Sequence, residues 1–79
     1  MNVAEVSEES VRARLRTEDP EFQRLEQEHR QLDQKLLTFE THVYLSPEEE
    51  FERRRLQKLK LAAKDRIADM IRRYKSGNA

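Results

Sequence analysis

The stretch DPEFQRLEQEHRQLDQKLLTFETHV, residues 19–43, decides the fold. Its apolar positions are Phe22, Leu25, Leu32, Leu36, Phe39 and Val43, with His29 in the one gap. The steps between them run 3, 4, 3, 4, 3, 4, a heptad stripe along one helix face that no strand would produce. Asp19 and Pro20 mark where this helix starts. The aspartate can accept hydrogen bonds from free N–H groups of the first turn, and proline suits a position that needs no N–H.

Moving outward, the pattern stops at Val43-Tyr44-Leu45-Ser46-Pro47 and a second start signal follows at once. Ser46 is an N-cap, Pro47 the first helical residue, and Glu49 completes a capping box. Glu48, Glu49 and Glu50 suit the positive end of a helix dipole. The second helix carries Leu56, Leu59, Ala63, Ile67, Met70 and Tyr74, an eleven-residue period that drifts little on a straight helix. It should fade near Ser76 and Gly77. A short turn between long helices makes them antiparallel neighbours. The expected fold is therefore all-α: an antiparallel two-helix hairpin, coiled-coil-like, over residues 19–75. The helices should cover about 20–42 and 47–75, with a turn at 43–46 and a tail at 76–79. Residues 1–18 form a leader, either a short helix or disordered, with weak apolar marks at Val3, Val6, Val11 and Leu15.

In an antiparallel pair, facing residues have numbers of constant sum. A sum of 92 pairs Leu36 with Leu56, His29 with Ala63, Leu25 with Ile67, and Phe22 with Met70. The bulky imidazole of His29 then meets the small Ala63. Charges agree: Glu26 should face Arg66, Glu28 Lys64, Asp33 Lys60, and Glu40 Arg53. Residues 1–52 carry 6 Lys/Arg against 14 Asp/Glu, and residues 53–79 carry 10 against 2. That asymmetry mostly serves pairing between the helices, and so selects this register over its neighbours.

Composition narrows the function. Of the 79 residues, 41% are charged and 35% apolar, too few for a core enclosed on all sides. The chain has no cysteine, hence no disulfide framework and no cysteine metal site. Neither an apolar signal core nor a run of ~20 apolar residues occurs, so a cytoplasmic location without membrane association is expected.

Phe22-x-x-Leu25-x-x-x-His29-x-x-Leu32-Asp33, followed by Leu56-Gln57-Lys58-Leu59-Lys60-Leu61-Ala62-Ala63-Lys64-Asp65-Arg66-Ile67, resembles the YdcH-like family of short bacterial proteins. The resemblance spans roughly residues 19–75, and Lys60-Leu61-x-x-Lys64-Asp65-x-Ile67 is its most specific part. It implies a bacterial helical hairpin of unknown biochemical role. The sequence departs from the family pattern at Gln57, Leu59 and Ala63.

An enzyme would need a nucleophile with a base at a meaningful spacing. Two histidines, few hydroxyls and no glycine-rich loop supply none, so no catalysis and no cofactor are expected. Glu26-x-x-His29 puts a carboxylate and an imidazole on one face, as in di-iron bundles, which allows a weak metal site in a dimer. The simpler reading is a histidine that sets register. His42 suits the C-terminal end of its helix as a cation. Ten cations from Arg53 to Lys75 raise a nucleic-acid alternative on the outer face of the second helix, with Arg54, Lys58, Arg72, Arg73 and Lys75 left over after pairing. Asp65, Asp69 and scarce aromatics weigh against it. The favoured expectation is a protein–protein interaction or self-association module, a homodimer or a pair with another protein. Its contacts are expected at the apolar residues left off the seam, Leu37 and Leu61, and at Ile71 on its edge.

Overall fold

The computed structural model describes residues 7–77, so Val3 and Val6 lie outside the described residues. Three helices follow one another: α1 (Glu8–Glu18), α2 (Pro20–Glu40) and α3 (Pro47–Gly77), and no strand occurs among the described residues. α2 and α3 form the antiparallel pair. The two-helix expectation is corrected at the leader, which is a third helix packed on both others. α3 also runs two residues further than expected, into the proposed tail, and α2 ends two residues earlier. The molecule measures 53 × 25 × 17 Å with a radius of gyration of 16.3 Å. A globule of this length would have a radius near 12 Å, so the shape is a rod.

Ser7 caps α1, its Oγ accepting from the Ser10 N–H at 3.1 Å. Glu8 and Glu9 occupy the first turn and Arg16 the last, which suits the helix dipole. Eleven residues are too few for a stable isolated helix. Packing supplies the rest: Val11 and Leu15, one turn apart, are 0% and 5% exposed. Burying each is worth about 1.5–3 kcal/mol. A two-residue stripe is a weak sequence signal, which is why the leader reads ambiguously.

Asp19 alone makes the corner between α1 and α2. Its N–H donates to the Leu15 carbonyl at 2.9 Å, closing α1. Its carboxylate accepts from the N–H groups of Glu21 and Phe22 at 3.0 and 3.4 Å, opening α2. The extended backbone here (φ −122°, ψ 106°) is the one a following proline imposes. At the other end, Ser46 and Glu49 close the capping box in both directions, at 2.9 and 3.1 Å. The bond from the Ser46 N–H also pulls the Glu49 carboxyl below its ordinary pKa.

The core has two parts. At the open end, Val11, Leu15, Phe22, Leu25, Ile67 and Ile71 form a three-helix cluster, with Met70 and Tyr74 packed against it. Toward the turn, Leu32, Leu36 and Leu56 form a two-helix seam with Phe39. His29 and the buried Ala63 lie between the two in sequence. Leu59, expected on the seam, is instead 44% exposed. It lies about 60° around the helix from Leu56 and about 40° from Ala63.

Candidate functional site

Two side grooves run between α2 and α3, and they differ in chemistry. One adjoins α1 and is lined by Arg12, Glu26, His29, Arg30, Asp33, Lys64 and Ile67. Glu26 is its centre. Arg16 donates to it from Nε at 2.6 Å and from Nη2 at 3.1 Å, and Arg12 from Nη1 at 3.4 Å. The Glu26 side chain is only 11% exposed. Hydrogen bonds from Arg16 first, and the charges of both arginines, hold its carboxyl below the ordinary range. Above His29, Lys60 Nζ donates to Asp33 at 2.6 Å and ties α3 to α2. His29 Nε2 is buried with no hydrogen-bond partner.

The second groove lies on the other side of the hairpin. Leu25, Leu32, Leu59, Ala62 and Ala63 line it, with Glu28 and Arg66 at its rims. Glu28 forms no ion pair among the described residues, whereas Arg66 reaches Glu21. No described element covers this groove.

These positions correct several expectations. Glu26 does not face Arg66; the arginines of α1 take it, and Arg66 pairs one turn away with Glu21. Charge attraction is not directional enough to choose among partners a turn apart, and α1 brings two competing arginines. Arg53 bonds Glu50 on its own helix rather than Glu40. Ile71 is not a contact residue, because it is 5% exposed inside the three-helix cluster. Leu37 and Leu61 are each 54% exposed but line neither groove. Leu61 is 200° around the helix from Ala63, so it points away from α2. The structure therefore does not gather Leu37, Leu61 and Ile71 into one surface.

The outer basic face is also less free than its sequence suggests. Arg53 and Arg54 bond Glu50, Arg55 bonds Glu52, and Arg72 and Arg73 bond Asp69. The two arginines hold the Glu50 carboxyl down at about 2, Arg53 first. Sequence reasoning missed Phe51, 71% exposed among Arg54, Arg55 and Lys58. His42 Nδ1–H donates to the Thr38 carbonyl at 2.7 Å, at the end of α2. No group of three metal-ligating side chains comes together among the described residues. None of the described helices is long and apolar enough to cross a membrane.

These features define a small all-helical protein whose hairpin bears a charged groove beside α1 and a largely apolar groove on its other side. The chain belongs to the family described as a protein of unknown function (DUF465), whose pattern matches residues 22–71. That span runs from Phe22 in α2 to Ile71 in α3 and leaves α1 outside. No curated protein and no solved structure matches the chain.

Proposed function

We propose that the protein is a non-catalytic helical interaction module of the YdcH-like type, and that its open groove is the contact surface. The observation that carries this is Leu59, 44% exposed next to the exposed Ala62, over the buried Leu25, Leu32 and Ala63. An apolar strip of this kind, flanked by Glu28 and Arg66, fits the apolar face of another helix, which would anchor at i, i+3, i+4 and i+7. Small residues at 62 and 63 let a partner backbone approach closely. The absence of catalysis in this reading rests on the residue set, since Glu26 is fully engaged by arginines and the grooves are open. A bacterial setting follows the YdcH-like resemblance.

Site-specific photo-crosslinking in living cells tests the surface. A photoreactive residue in place of Leu59 should give a protein adduct that the same residue at Leu61 or Arg30 does not. Equal labelling at all three positions, or no adduct at Leu59, would refute the assignment.

A further inference from the structure

We infer that the open groove pairs with the same groove of a second copy, about a twofold axis parallel to the helices, so that α2 of each chain stacks on α3 of the other. This rests on the groove being the contact surface, and adds its occupant and geometry.

Charge selects the arrangement. α2 carries five carboxylates against three cations, and α3 ten cations against six carboxylates. Two identical hairpins can stack face to face about two kinds of axis. With the axis across the helices, α2 lies on α2 and α3 on α3, which sets basic against basic. With the axis along the helices, every α2 touches two α3 helices, one its own and one its partner's. Acidic and basic helices then alternate around a four-helix bundle, an up-and-down arrangement of the familiar kind.

Side chains on the open face agree with this. Helical spacing places Arg24, Glu28 and Gln31 along the α2 rim, and Leu59, Ala62, Arg66 and Asp69 along the α3 rim. Level positions on the two helices sum to about 92 or 93, as the 2.6 Å contact of Asp33 with Lys60 illustrates. The axis along the helices preserves level. Arg24 then meets Asp69 of the partner, Glu28 meets Arg66, and Gln31 meets Ala62. Neither Arg24 nor Glu28 has an ion-pair partner within the chain among the described residues.

The area suffices, but narrowly. α2 has 21 residues, so the shared face is about 31 Å long and about 20 Å wide at ordinary helix dimensions. That is on the order of 600 Å² per copy, at the lower edge of specific interfaces. Weak, concentration-dependent dimerisation is therefore expected.

Sedimentation equilibrium from micromolar to millimolar protein reads the mass. The intact chain should pass from monomer to dimer, Leu59→Glu should weaken that transition at least tenfold, and Glu28→Lys, a purely surface change, several-fold. Oxidation then reads geometry, since the chain has no cysteine of its own. A mixture of Gln31→Cys and Ala62→Cys chains should form the mixed disulfide dimer. Gln31→Cys linking to itself would overturn the axis, and a dimer unaffected by Leu59→Glu would overturn the surface. A chain that stays monomeric while Leu59 cross-links to a different protein in cells refutes self-pairing and leaves the interaction reading intact. Monomer without any cross-link refutes both.

Discussion

The open end of the rod and the turn end are built from the same two helices, yet they are held differently. At the open end a third helix closes the seam, and Phe22 and Val11 are fully buried. At the turn end two helices share Leu32, Leu36 and Leu56, and beyond them Val43, Tyr44 and Phe51 are 89%, 88% and 71% exposed. Two helices in contact can bury one stripe each and nothing more; a third turns the stripe into a core. The difference teaches that α1 is what makes one half of this hairpin an interior.

The contrast can be broken most directly in the core. Phe22→Ala should cost about 3–5 kcal/mol in urea unfolding, and Leu36→Ala should fall near the low end of the 2–5 kcal/mol range for such truncations. Equal costs would mean that the two halves are equally well packed. Acid should act next, on α1. The Glu26 carboxyl is depressed in the folded state, so its contribution is fully present above the ordinary value of about 4.5 and is lost as pH falls through the depressed one. Hydrogen exchange across α1 should rise over that window, and Glu26→Gln should remove this pH dependence.

Smaller effects sharpen the border between the halves. His29 Nε2 is buried without a partner, and such an atom costs about 1–3 kcal/mol. His29→Met, which keeps volume and removes the polar atom, should raise stability by about 1 kcal/mol; a loss would show that the imidazole is satisfied in solution. Asp19→Ala removes the cap of α2 and should cost about 1 kcal/mol, read as frayed amides at Glu21 and Phe22. Leu61→Glu, on the outer face of α3, should change stability by less than about 0.5 kcal/mol.

Much of this was legible in the chain. The stripe from Phe22 to Phe39 is long and regular, and Asp19-Pro20 and the Ser46–Glu49 box use chemistry that works within four residues. Local signals of that kind survive any tertiary context. The seat of α1 was not legible, because two apolar residues one turn apart do not say against what they pack. Glu26 and Ile71 are both claimed by α1, so their places depend on that seat and not on the hairpin alone. Leu59 failed for a different reason: at the edge of an apolar arc, a rotation of a few tens of degrees decides between seam and surface. The groove around it was consequently hidden in a residue assigned to the core.

The single-residue corner at Asp19 has one more consequence. A helix tethered so closely to its own docking face is present there at an effective concentration of about millimolar or more. Any free helix offered to the α1 side must compete against that permanent ligand, and an ordinary micromolar binder at cellular abundance loses. The corner therefore acts as a selectivity device: it reserves one side of the hairpin for the chain itself and directs every outside encounter to the other.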